Sequence, residues 1–331
     1  MSFTLSDFDY HLPEERIAQK PAVPRDHSRL LVFDRATEQI TDDYFYNLPQ
    51  HLPTKSRLVL NNSKVEKCRL LFGNKEVFVH KAYNPTTVEA LVRPGKKFKK
   101  GKTVELDEGL SATVLDVSED GLRILRLNTE LESDALAPYR YTPFPPYLEQ
   151  DESLADQYQT IYAKEKGSKA APTAGLHFTD RLFEALDEKG FPRTEVTLHV
   201  GLGTFAPVKT EDLDEHVMHH EEYHLSTKNA AEINAAEHIT AVGTTSVRVL
   251  ESMADEKGRV EAGQGSTDLF IRPGYKFRRV DSMITNFHLP KSTLLMLVSA
   301  FMGYENMHNV YQHAIEQEYR FYSFGDAMLI I

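Results

Sequence analysis

Ile239-Thr-Ala-Val-Gly-Thr-Thr-Ser-Val-Arg-Val-Leu-Glu-Ser-Met253 decides the fold class. Ile239 to Val242 reads as a short buried strand; a glycine and three hydroxyl-bearing residues follow, then a helix from Val247 to Met253. The same unit recurs on both sides. Upstream, Thr179 can cap a helix from Asp180 to Lys189 that lines up Leu182, Phe183 and Leu186 and stops at Gly190. The strand Glu195 to Val200 follows it. Downstream, the strand Ser282 to Thr285 leads into a helix from Ser292 to Phe301. Nearer the start, Arg57 to Leu60 is another apolar strand, closed by the turn-forming pair Asn61 and Asn62. Alternation of this kind means α/β architecture.

Between about Val65 and Leu148 the texture changes. Glu76 to Val79, Val88 to Val92, Ala112 to Val117 and Arg123 to Leu127 are short apolar stretches separated by Gly, Asn and Asp turns. No amphipathic helix stands among them, so this segment reads as a small β-barrel or sandwich. The expected organisation is a large α/β domain built from residues 1–64 and 149–331, with an all-β domain, 65–148, inserted into it.

With 331 residues and 41% hydrophobic content the chain can bury a full core. Its formal charge of −11 argues against a generally basic nucleic-acid binder, so any contact with RNA needs a local basic patch. Cys68 is the only cysteine, which excludes an intrachain disulfide, a Cys-rich zinc site and a [4Fe–4S] cluster. Met1 to Asp9 lacks the pattern of a signal peptide, and the longest apolar run, Leu294 to Met302, is too short to span a bilayer. A cytoplasmic protein with no membrane partner is expected.

Several segments could carry chemistry. Ala171-Pro-Thr-Ala-Gly-Leu-His-Phe-Thr179 sets Gly175 and His177 directly before a helix, where backbone N–H groups attract anions. His177 is a candidate acid, base or ligand contact, or simply a turn histidine beside a cap. In the strand Glu195 to Val200, alternation turns Glu195, Thr197 and His199 to one face. That face points into the mouth of a barrel if the sheet closes, or to solvent if the strand is an edge. Gly201-Leu-Gly-Thr-Phe-Ala206 matches a dinucleotide fingerprint formally, but no helix opens at Pro207-Val208. Gly201 and Gly203, with Thr204, still allow close backbone approach by a ligand.

Thr244, Thr245 and Arg248 could converge on a carboxylate or phosphate at their helix start, or the hydroxyls could be caps only. Asp268 and Asn286 stand at strand ends, with His288 and Lys291 after the second. They could hold ribose hydroxyls or a base edge, or stabilise turns. His220-Glu-Glu-Tyr-His224 fits the zinc-hydrolase pattern H-E-x-x-H, which needs both histidines on one helix. Ser226 and Thr227 look like caps for a helix from Lys228 to Glu237, which leaves His224 outside it in a His-rich connector. Lys96, Lys97, Lys99 and Lys100 surround Phe98 in a turn-rich stretch. They and Lys276 could grip RNA phosphates, or belong to solvated turns.

Taken in order, Asp7 to Glu14, Ile17 to Gln19, Arg25-Asp26, Ser28 to Leu31, Tyr162 to Lys164, Ala171 to Thr179, His199 to Pro207, Gly243 to Arg248, Pro273 to Lys276, Thr285 to Leu295 and Phe324 to Met328 resemble the S-adenosylmethionine:tRNA ribosyltransferase-isomerases of queuosine biosynthesis. The resemblance implies a barrel-like large α/β domain with an inserted small β-barrel. It implies S-adenosylmethionine as co-substrate and no metal: the family carries a Met-His-x-Glu pattern where Met218 to Glu221 stand here. The partner it implies is the anticodon stem-loop of a tRNA bearing an aminomethyl-deazaguanine, which receives the ribosyl group while adenine and methionine leave. A monomer is expected. On this footing His177 and His199 become candidates for proton transfer, because a base is needed beside the sulfonium and an acid at the departing adenine. Arg248, Thr244 and Thr245 would hold the methionine carboxylate. Gly175, Gly201, Gly203 and Thr204 would line the co-substrate, and Asp268 and Asn286 would meet ribose or base. His288 and Lys291 would stabilise developing charge or meet phosphates. A zinc hydrolase using His220, Glu221 and His224, a methyltransferase and a non-catalytic RNA-binding protein are the competing classes.

Overall fold

The computed structural model describes residues 3–119, 121–201, 208 and 210–331. The chain forms two compact units. The larger comprises Met1–Lys64, Pro146–Glu149 and Asp156–Ile331, and the smaller Val65–Pro145 with Gln150–Ala155.

Nine strands make the sheet of the larger unit: β1 (Arg29–Asp34), β2 (Gln39–Tyr44), β3 (Ser56–Asn61), β4 (Arg193–Leu198), β5 (Glu221–Leu225), β6 (His238–Val242), β7 (Gly263–Thr267), β8 (Ser282–Asn286) and β9 (Ala327–Ile330). Their spatial order is β7-β5-β4-β3-β6-β8-β9-β1-β2. The centre, β4-β3-β6-β8, is parallel. β5 and β7 extend it antiparallel on one side. On the other, β9 runs antiparallel to β8 and parallel to β1.

Strict alternation along the strands covers both faces. Leu58, Leu60, Val242, Ile284 and Leu329 enter one core, together with Leu182 and Leu186 of helix α1 (Asp180–Glu188). Val59, Ala241, Met283 and Met328 enter the other. There they meet α2 (Thr227–Ala235), α3 (Thr244–Met253), α4 (Thr293–Met302) and α5 (Tyr304–Glu316). Helix starts obey local chemistry: the hydroxyls of Thr179, Ser226 and Ser292 each accept the N–H three residues on.

The α/β reading holds, but the barrel-like closure does not. Among the described residues no pairing joins β7 to β2, and the sheet is open. Both edges are polar: β2 is Gln-Ile-Thr-Asp-Asp-Tyr and β7 is Gly-Gln-Gly-Ser-Thr, sequences suited to ending a sheet.

The smaller unit is a seven-stranded antiparallel sheet, ordered Arg140–Tyr141, Arg69–Phe72, Lys75–Asn84, Thr87–Arg93, Arg123–Leu127, Leu110–Val117, Thr103–Asp107. Its own core gathers Leu70, Val77, Val88, Ala90, Phe98, Val114 and Leu125. Among the described residues no helix is long and apolar enough to cross a membrane.

Candidate functional site

The carboxyl ends of β4, β6 and β8 open onto a cleft of about 100 Å³ within the larger unit. Ligands of open α/β sheets bind beyond strand ends of this kind. Gly243 forms the bend between β6 and α3. Its φ of +85° suits glycine, and it leaves the first turn of α3 without a side-chain cap. Thr244 and Thr245 therefore face the cleft at a helix N-terminus. The hydroxyl of Thr245 is buried and has no hydrogen-bond partner among the described residues.

One turn on, Arg248 is buried and forms a salt bridge with Glu221, which is buried as well. Its Nε and Nη2 donate to the carbonyls of Leu269 and Thr267, each at 3.3 Å. Glu221 also accepts the Gly201 N–H at 3.2 Å. Both ends of this ion pair line the cleft.

Across from it, Asn286 ends β8. Its amide nitrogen lies 3.1 Å from the Tyr322 carbonyl and 3.1 Å from His177 Nε2. The carbonyl fixes that nitrogen as a donor, so His177 Nε2 accepts, and His177 is the neutral tautomer that donates from Nδ1 to Ser28 Oγ at 2.7 Å. Burial, with the ring against Phe45 at 4.9 Å, pushes the His177 pKa down to about 4. The remaining atom, Asn286 Oδ1, is buried with no partner among the described residues. His288 lines the cleft with Nε2 2.7 Å from Thr285 Oγ1, and burial lowers its pKa to about 3. The hydroxyls of Tyr10 and Tyr311 pin its backbone.

The queuosine biosynthesis protein family matches residues 5–330 of this chain. The S-adenosylmethionine:tRNA ribosyltransferase-isomerases of Symbiobacterium thermophilum and Carboxydothermus hydrogenoformans are 48% and 49% identical to it, each over 99% of both chains. A crystal structure of the S-adenosylmethionine tRNA ribosyltransferase from Thermotoga maritima is similar at 38% identity, with a TM-score of 0.56 over 98% of this chain and 100% of that one. The chain belongs to this family.

For a member of the family, the cleft brings together Thr244, Thr245, Arg248, Asn286 and His288 as expected from the sequence. Other expectations need correction. His177 is bonded to Asn286 of the cleft without lining it, and both ring nitrogens are engaged, so it has no lone pair to offer as a base. His199 lines a separate recess with Glu222, Tyr223 and His224. The polar face of β4 is spent internally: Thr197 donates to Asn62 at 2.8 Å, and Lys164 pairs with Glu195 at 2.6 Å. Asp268 is exposed and lies 4.0 Å from His220, away from the cleft. Gly175 is glycine because a Cβ there would sit 2.0 Å from the Tyr162 hydroxyl, a packing demand and not a ligand contact. Gly201 contributes its N–H to Glu221, while Gly203 and Thr204 lie outside the described residues.

The zinc pattern dissolves. Glu221 to His224 lie in a strand, where residues four apart are separated by about 13 Å along the chain and cannot share one ion. Glu221, read from the sequence as part of that pattern and as the end of the Met-His-x-Glu resemblance, proves to be the buried partner of Arg248. No local signal marks that pairing, since the two are 27 positions apart. Lys291 pairs with Asp9 at 2.7 Å, Lys276 lies in a surface recess beside Arg278, and Lys96, Lys97, Lys99 and Lys100 are exposed around buried Phe98, with Lys100 held by Asp116.

Proposed function

We propose that this chain moves the ribosyl part of S-adenosylmethionine onto the aminomethyl group of a deazaguanine at the wobble position of tRNA in the cytoplasm, with isomerisation of the sugar to an epoxycyclopentane and release of adenine and methionine. The observation that carries the reading is the family match from residue 5 to residue 330. The cleft suits such a co-substrate, because it offers a cation, an anion and two buried oxygens still short of a partner among the described residues. S-adenosylmethionine supplies a sulfonium that acidifies the neighbouring ribose carbon, and a purine that leaves.

In this reading Thr244, Thr245 and Arg248 take the methionine carboxylate. Asn286 Oδ1 accepts from a ribose hydroxyl or a base edge, and His177 with Ser28 holds that amide in place. His288, neutral through burial, contributes hydrogen bonding and no standing charge. The target base leaves its stack in the anticodon loop, and Lys96, Lys97, Lys99 and Lys100 provide phosphate contacts.

Incubation with ribose-labelled and methyl-labelled co-substrate in parallel tests the reading. Ribose label is expected in tRNA carrying the aminomethyl base, with adenine released and the methyl label retained in methionine. Methyl label in the RNA would point to a methyltransferase, and binding without turnover to a passive RNA binder.

A further inference from the structure

Tyr44 and Tyr46 are exposed, at 46% and 40%, and their rings lie 5° from parallel with centroids 5.5 Å apart. That is the offset stack aromatic rings prefer. The ring of His27, itself exposed, stands 5.1 Å from Tyr46 and extends the patch. Phe45, between the two tyrosines, turns inward and is fully buried. Large rings stabilise a fold by leaving water, so a contiguous aromatic group held in water at the end of a polar edge strand calls for a partner.

The patch lies on the rim of the sheet that bears the cleft. Asn286 pairs with Ala327, Ala327 with Leu30 and Leu30 with Asp43, so Tyr44 stands one residue beyond the row that starts at Asn286. Three strand spacings put it roughly 14 Å away. Packing makes a second link: the Phe45 ring lies 4.9 Å from that of His177, which is bonded to Asn286. Charge on this rim admits a polyanion in spite of the acidic chain. Asp43 is bonded to His51 at 2.6 Å, Asp42 to His313 at 2.9 Å and Asp26 to Arg181 at 2.6 Å. Arg25, two residues before His27, bonds carbonyls only among the described residues, at 2.6 and 2.9 Å.

We infer that Tyr44 and Tyr46 form a stacking platform for an unpaired nucleotide of the tRNA loop, one that flanks the base entering the cleft. The inference rests on tRNA being the substrate. Every base has a π face, so such a platform grips single-stranded RNA whatever its sequence, whereas a paired stem hides its faces in its own stack. The platform holds the loop against the rim while the neighbouring base is turned out.

Fluorescence anisotropy with a synthetic anticodon stem-loop carrying the aminomethyl-deazaguanine tests the platform. Replacing both tyrosines by Ala should weaken binding at least roughly tenfold, and replacing both by Phe should change it less than about twofold, because stacking needs the ring and not the hydroxyl. Affinity for S-adenosylhomocysteine and for an RNA duplex without a loop should stay within about twofold in both variants. Stem-loop binding by the alanine pair within about twofold of wild type, with or without a change in oligomeric state, overturns the platform. So does a phenylalanine pair as weak as the alanine pair, or an equal loss for the duplex. If the alanine pair fails to fold, a fluorescent purine analogue beside the target base decides in the wild-type complex: quenching on binding supports the platform, and unchanged emission overturns it. A wild-type chain that binds the stem-loop through these rings yet transfers no ribosyl group would instead remove the transfer reading and leave the platform standing.

Discussion

Helix α3 carries two buried charges of different kinds. Arg248, at its middle, is matched by a side chain and two carbonyls and faces the cleft. Glu251, three residues later, is sealed: it accepts the backbone N–H groups of Arg278, Arg279 and Val280 at 2.8–3.0 Å, and the Tyr275 hydroxyl at 3.2 Å. The same helix thus uses one charge to hold a loop and presents another to a cavity. A carboxylate surrounded by the donors of one loop has no capacity to spare, whereas Arg248 has more N–H groups than its bonds to the described residues use. Burial alone does not separate structural from functional charge. What separates them is whether the hydrogen-bonding capacity is exhausted.

The sharpest way to break this contrast is Glu251→Ala, which strands three backbone donors together. It should destabilise the fold by about 3–5 kcal/mol in chemical denaturation. A loss below about 1 kcal/mol would mean that the loop does not depend on it.

The cleft side differs again in its response to pH. Burial holds His177 and His288 below the ordinary imidazole value, so as pH falls the unfolded chain takes up protons before the folded one does. Stability is therefore full above about pH 6.5 and declines as pH drops toward 4, with up to about 3 kcal/mol attached to His177. His177→Gln should flatten that part of the pH–stability curve. An unchanged slope would show that the ring does not stay neutral.

Exposed charge makes the third and smallest case. Replacing Lys96, Lys97, Lys99 and Lys100 together by Ala should leave stability within about 0.5 kcal/mol. It should weaken tRNA binding and reduce its dependence on salt, by roughly 0.7–0.9 in log–log slope for each phosphate that a lysine no longer neutralises. Unaltered salt dependence would assign these lysines to solvent alone.

Local chemistry made much of the molecule legible. Thr179 and Ser226 cap helices where the sequence placed them, and Ser292, read as the first residue of its helix, caps it one position earlier, because a hydroxyl reaching an N–H three residues on needs nothing beyond its own turn. Leu58 and Leu60 oppose Val59 for an equally local reason, the two-residue period of a strand. β5 and β7 were harder to see. Glu-Glu-Tyr-His-Leu and Gly-Gln-Gly-Ser-Thr carry little apolar alternation, and they are strands because they pair with β4 and with each other.

By itself, the sequence determined the α/β class, the βα units with their caps, the all-β segment and the family to which the chain belongs. The tertiary structure alone decided the membership of the site. It joined Glu221 to Arg248 and Asn286 to His177, 109 positions apart, and it turned His199 and Asp268 elsewhere. The physical reason is that backbone conformation follows from neighbours along the chain. A site at the ends of β4, β6 and β8 instead depends on sheet order and on which polar atoms packing leaves without a partner.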